Sequence, residues 1–229
     1  IYEGRWKALT LACTYIFISH FYMGYIGFYD FLRKADKIHH SRQVAKRNYI
    51  NNQKAMENHQ FNSSKEYIED QHSYDDVKYG CVTVSYAGCE VISIYNAYVY
   101  YFGNGAVDFP KLLASFESDG MALNGFFGTA PKSIVHYLEA HGFKTEFYSD
   151  ADCVNRCEGE RCVIFTFYND ASDIMEKVHT ICVTREEDGY YAHNVHCNGR
   201  ILGPYESLEQ FAKRLNGSKA KMINSIIVK

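Results

Sequence analysis

SYAGCEVISIYNA, residues 85–97, is the stretch around which the rest of the chain is organised. A small-residue turn, Tyr86-Ala87-Gly88, hands over to a run in which Val91, Ile94, Tyr95, Tyr98 and Phe102 recur at helical spacing. Gly103-Asn104-Gly105 stops the run, so the pattern predicts a helix over 89–102 with Cys89 in its first turn. A thiol there meets the positive end of the helix dipole and free backbone N–H groups, and both favour the thiolate. The placement suits a nucleophile, provided that a base comes from elsewhere in the chain.

A second helix is expected from about Phe109 to Asp119, with Pro110 in its first turn and Gly120 after it. The loop Asn124-Gly125-Phe126-Phe127-Gly128-Thr129 leads into a third helix, with Thr129 as N-cap, Pro131 in the first turn and Gly142 past the end. This loop has no Lys-Ser or Lys-Thr pair after its second Gly and follows no clear strand, so it is not a phosphate cradle of the nucleotide-binding kind. After residue 142 the period becomes that of strands: Lys144–Tyr148, Cys162–Tyr168, Val178–Thr184, Gly189–Val195 and Ile223–Val228. Glu187-Asp188-Gly189 reads as a hairpin turn, and one more helix, Leu208–Leu215, interrupts the strands. Helices first and an antiparallel sheet second predict an α+β fold, with the nucleophile helix packed on the sheet.

Cys–His catalysis needs a thiolate, an imidazole within hydrogen-bond reach and a group that fixes the imidazole tautomer. His179 opens the strand HTICVT, and the returning strand YYAHNVH brings Asn194 near its level. One hairpin thus supplies a base, His179, and an orienter, Asn194, whose side-chain oxygen can accept from the ring. His193 and His196 are the alternates, His196 sharing a face with Asn194 and His193 pointing the other way. Cys81 is a weaker nucleophile candidate because it lies several residues ahead of the helix.

The stretches GCEVISIYNA, FESDGMALNGFFGTAPKSIVHYLEAHGF and VHTICVT…GYYAHNV resemble papain-like cysteine peptidases. They are most similar to the double-glycine-leader peptidases that mature bacteriocin precursors, and to their stand-alone bacterial relatives. The resemblance covers residues 74–229 and implies Cys89 as nucleophile, His179 as general base and acid, and Asn194 as orienter, where many relatives use Asp. A Gln six residues before the Cys usually completes the oxyanion hole in that group. Here the position is Thr83, so the hole is expected to use the Cys89 backbone N–H with the Thr83 hydroxyl or another donor; the nearest upstream Gln is Gln71, which would need a loop rearrangement to reach in. Losing one such donor elsewhere costs about 100- to 1,000-fold in rate.

Ahead of this region, residues 8–32 form the most apolar segment, bounded by Arg5 and Lys7 before and by Arg33, Lys34 and Lys37 after. Its length suffices to span a bilayer, but Ser19, His20, Gly24, Gly27 and Asp30 break the run. Three readings stand open: a membrane span or interfacial anchor, a helix docked on the catalytic-type domain, or a partner-binding helix. Residues 33–76 read as a solvated polar helix or two with a linker around Asn62-Ser63-Ser64. The domain expectation is therefore a helical extension over 1–73 and a peptidase-type domain over 74–229.

A net charge of −3 gives no reason to expect nucleic acid, and 16% aromatic residues with only 3 Pro argue against disorder. No secretory signal with a cleavage site is visible, and the expected location is cytoplasmic or the cytoplasmic face of a membrane. Most of the eight Cys read as buried reduced thiols. CVNRCEGERC (153–162) has one x₃ and one x₄ spacing and no second pair, a poor match to structural zinc, and a disulfide there needs an oxidising compartment. No metal or cofactor is expected. The function expected is amide-bond hydrolysis on a peptide or protein substrate. The alternatives are an acyltransferase or a silent peptide-binding module, tethered or docked through the N-terminal segment.

Overall fold

The predicted helix α4, Cys89–Phe102, forms with the same limits but is not amphipathic in place. Every residue from Cys89 to Tyr100 is buried, whereas Phe102, the last member of the expected stripe, is 65% exposed. The computed structural model describes residues 24, 26–34, 42–59, 66–169, 178–195, 201–216 and 220–229. Within it α4 is enclosed on all sides. Beneath lies a six-stranded antiparallel sheet, and around the rest pack helices α5 (Phe109–Asp119) and α6 (Pro131–Ala140) and the segment 66–70. Asn96, in the middle of α4, fastens that segment: its Oδ1 accepts from Ile68 N at 2.8 Å and its Nδ2 donates to Ile68 O at 3.0 Å. Val91, Ile92, Ile94 and Ala97 lie fully inside, and burying a residue of Val or Ile size contributes about 1.5–3 kcal/mol.

The sheet contains β3 (Thr145–Tyr148), β4 (Cys162–Tyr168), β5 (Val178–Glu186), β6 (Gly189–His193), β7 (Leu202–Tyr205) and β8 (Lys221–Val228), in the order β3-β8-β4-β5-β6-β7. The hairpin at Glu187-Asp188-Gly189 forms as expected, with Glu186 opposite Gly189 and Cys182 opposite His193. Cys162, Ile164 and Cys182 meet α4, while Val163, Phe165, Ile181 and Val183 meet α7 (Leu208–Asn216) on the other face. The α+β class is thus what the chain adopts. β7 is an edge strand that the sequence did not signal.

Packing contacts cross the expected division at residue 73. Helix α2, Arg42–Met56, lies against α5, and its two buried asparagines grip the strand β1, Lys78–Tyr79. Asn52 exchanges bonds with both main-chain groups of Lys78, and Asn48 Nδ2 donates to Gly80 O. A helix expected to be solvated is instead stitched to the core through one polar face. Ile68 belongs to the same core cluster as α4, so the packed unit begins well before Tyr74.

Residues 26–34 form a helix, α1, whose Phe28, Tyr29 and Leu32 pack on Ala122, Leu123, Phe127 and Ala130. Arg33 adds an ion pair to Asp119 at 2.8 Å. For these residues the docked-helix reading holds. No helix among the described residues is long and apolar enough to cross a membrane. Most of the apolar segment before residue 26 and the linker at 62–64 lie outside the described residues.

The loop 121–130 between α5 and α6 differs from expectation at its end. The N-cap of α6 is Ala130, without a side-chain cap bond, and Thr129 Oγ1 instead lies 2.7 Å from Tyr79 OH. Thr129 also bridges to Met121, which closes the loop on itself.

Candidate active site

Cys89 occupies the first position of α4, as the sequence predicts, after the short helix α3, Val84–Ala87, and the N-cap Gly88. Its side chain is 6% exposed, and Sγ donates to Glu90 Oε2 at 3.3 Å. Glu90 is the only charged residue of α4 and is itself buried. Burial raises its carboxyl from the ordinary 4.5 to about 7, against the hydrogen bonds from its own N–H, from Cys89 and from the Thr129 N–H. Gly128 makes room for this carboxylate: a Cβ there would lie 2.7 Å from both oxygens. A lone charge in an otherwise uncharged helix, next to the candidate nucleophile, was a legible signal that the sequence reading passed over.

His179 is the second residue of β5, and its Nε2 lies 2.6 Å from the backbone carbonyl oxygen of Asn194. A carbonyl only accepts, so in the neutral ring Nε2 carries the hydrogen and Nδ1 keeps the lone pair. The expected pairing of His179 with Asn194 is therefore present, but the acceptor is the main chain. The Asn194 side chain is engaged with Gln71: Oδ1 accepts from Gln71 N at 3.1 Å and Nδ2 donates to Gln71 Oε1 at 3.3 Å. The reason is local: β6 ends at His193, and Asn194 takes the left-handed conformation (φ 59°), which redirects its side chain.

Gln71 is the residue that ties the pieces together. It opens a 3₁₀ turn, Gln71–Tyr74, capped by Asp70, whose Oδ1 accepts from His72 N. Its Nε2 reaches Ser85 O in α3 at 3.0 Å, so one side chain joins the segment ahead of Cys89 to the loop that holds His179. Glu69 supports the same corner, accepting from Asn194 N at 2.8 Å through Oε2 and pairing with His193 Nδ1 at 2.5 Å through Oε1. The sequence offers Gln71 only as the nearest upstream Gln and gives no signal for Glu69, because each meets Asn194 across more than a hundred residues of chain.

The alternates resolve differently. His193 lies on the α4 side of the sheet, stacked on Tyr67, with Nε2 2.9 Å from Thr184 Oγ1; with both nitrogens engaged in the interior, it is a structural residue. His196 and Cys197 lie outside the described residues. Thr83 ends the strand β2, Val82–Thr83, and is the N-cap of α3, with no cap bond from its hydroxyl. Cys81 is an exposed free thiol between β1 and β2.

The cysteines of the 153–162 motif are divided by the sheet. Cys157 packs on the α7 side, where its Sγ contacts Ser225 Oγ, whereas Cys162 is on the α4 side with its Sγ 3.7 Å from that of Cys182. Cys81, Cys153, Cys157, Cys162 and Cys182 are free thiols, and no group of three metal-ligating side chains occurs among the described residues.

Comparison with known protein families, with curated proteins and with solved structures finds no match to this chain. The chemistry has to be judged from geometry. Tyr100 OH donates to Arg185 O and Tyr101 OH to Val228 O, so the C-terminal end of α4 sits over the C-terminal ends of β5 and β8. At about 1.5 Å per residue the helix covers roughly 16 Å from Tyr100 back to Cys89, and a similar length of strand at about 3.3 Å per residue leads from Arg185 back to Thr180. Cys89 and His179 therefore come to the same end of the α4–β5 layer. Strand pairing sets His179 opposite Phe167, on the α7 side, with its ring edge-on to that residue at 5.8 Å. The imidazole thus stands at the rim of the sheet, where β5 begins, and not beneath the middle of α4.

Proposed function

We propose that this chain is a papain-like cysteine hydrolase that cleaves amide bonds in a peptide or protein substrate. The observation that carries the reading is the Gln71 bridge. It joins the α3–Cys89 segment to the Asn194 loop whose carbonyl orients His179. Supporting it are the helix-start position of the thiol and the common end reached by α4 and β5.

In this mechanism His179 Nδ1 takes the Cys89 proton while Sγ attacks the acyl carbon. The imidazolium then protonates the departing amine, leaving a thioester on Cys89. Water, deprotonated by the same Nδ1, attacks the thioester, and the proton returns to Sγ as the carboxylic acid leaves. The Asn194 carbonyl holds Nε2–H throughout, which leaves Nδ1 as the basic nitrogen. For the oxyanion we assign the Cys89 backbone N–H and Gln71 Nε2, which carries a second hydrogen beyond the one given to Ser85. Gln71 takes precedence over Thr83 because its side chain is already anchored at α3.

A proteome-derived peptide library tests the reading, with new N-termini read by mass spectrometry. The wild type is expected to generate termini that Cys89→Ala does not. Identical libraries from the two proteins would point instead to a silent peptide-binding module.

A further inference from the structure

Glu90 is a buried carboxylate that the mechanism above does not use, and it touches the reacting atom. Its Oε2 is the acceptor of the Cys89 thiol at 3.3 Å. The carboxylate has little freedom to leave. The Thr129 N–H and its own N–H hold it, and the bare Cα of Gly128 faces both oxygens. The loop that carries Gly128 and Thr129 is in turn clamped by α1 through Phe28, Tyr29 and Leu32. Cys89 is the titratable group that faces Glu90 from its own helix. From the 121–130 loop it takes the Thr129 N–H, and among the described residues no cationic side chain is hydrogen-bonded to it.

We infer that Glu90 is a proton-operated brake on Cys89: ionised, it keeps the sulfur as a thiol, and protonated, it stabilises the thiolate. The inference rests on Cys89 being the nucleophile. In the braked state Sγ–H donates to the carboxylate, and a negative charge so near opposes a second one on sulfur. Uptake of one proton gives the released state. The Glu90 carboxylic O–H then donates to the thiolate, and the former thiol proton resides on His179. Burial places the Glu90 transition near pH 7, so the site is expected to work on the acid side of neutrality.

Alkylation by iodoacetamide, followed at each cysteine by mass spectrometry between pH 5 and 8.5, tests this without a substrate. In the wild type the rate constant at Cys89 should fall severalfold as pH rises from 6 to 8. A thiol of ordinary pKa rises roughly 100-fold over the same interval because its thiolate fraction grows tenfold per pH unit below that pKa. In Glu90→Gln, and in Glu90→Ala as the second variant, the fall should disappear. Buried Cys162 and Cys182 report folding in every sample, since they stay unlabelled while the core is intact. A wild-type Cys89 rate that rises with pH overturns the brake even if both variants unfold. So does a fall that survives in a folded Glu90 variant. Cys89 reacting no faster than Cys81 at every pH, in wild type and variants alike, overturns the nucleophile itself. A fast Cys89 with no Glu90 dependence overturns only the brake.

Discussion

His179→Ala is expected to lower peptide hydrolysis by about 10³-fold, the middle of the range for loss of a general base. The structural cost should be modest. The variant leaves the Asn194 carbonyl without its ring donor, worth about 1–2 kcal/mol for a buried acceptor. Two readouts separate catalysis from a merely loosened fold. Added imidazole should restore part of the rate, and the variant's urea midpoint should stay close to that of the wild type. Wild-type hydrolysis by His179→Ala would remove the residue from the mechanism.

The second large effect concerns stability. Glu117, in α5, is buried at the α2–β1 junction, where Oε1 accepts from Asn48 Nδ2 at 2.7 Å and from Gly80 N at 2.6 Å. Oε2 is buried without a hydrogen-bond partner among the described residues, and burial raises the carboxyl from 4.5 to about 7. Because the folded value lies above the unfolded one, the native state binds more protons between these limits. The contribution is fully present below about pH 4.5 and is lost as pH rises through 7. A shift of this size corresponds to about 3 kcal/mol. Urea unfolding should therefore show the wild type losing about 3 kcal/mol more than Glu117→Gln between pH 4.5 and 8. The comparison of slopes matters, since the new amide itself brings N–H groups into a site with no acceptor for them. Parallel pH profiles would show that Glu117 is not the titrating group.

The elements read correctly from sequence are those with local punctuation. Pro110 and Gly120 bracket α5, and the structure adds Asp108 as its N-cap, accepting from Lys111 N. β4 follows from its run of β-formers, CVIFTFY, and the β5–β6 hairpin from its turn. β7 was missed because Gly203 and Pro204 interrupt it, and only an edge strand tolerates them. Burial of α4 on every side was hidden too: its polar Ser93 and Asn96 suggest a wet face, yet Ser93 bonds Cys89 O and Asn96 bonds Ile68. Within the candidate site, the helix-start position of Cys89 and the pairing of His179 with Asn194 are legible in the sequence. What the sequence could not convey was the left-handed turn at Asn194, which gives the orienting role to a carbonyl and the side chain to Gln71.

The central claim is that Cys89 is an activated nucleophile, and its reactivity at pH 6 tests that most directly. With iodoacetamide in limited amount, Cys89 should be carboxamidomethylated at least tenfold faster than the exposed thiol of Cys81 in the same molecule. This is the expected consequence of a thiol at a helix start, where the dipole and the backbone N–H groups favour the thiolate. Cys89 labelled no faster than Cys81 would contradict the account.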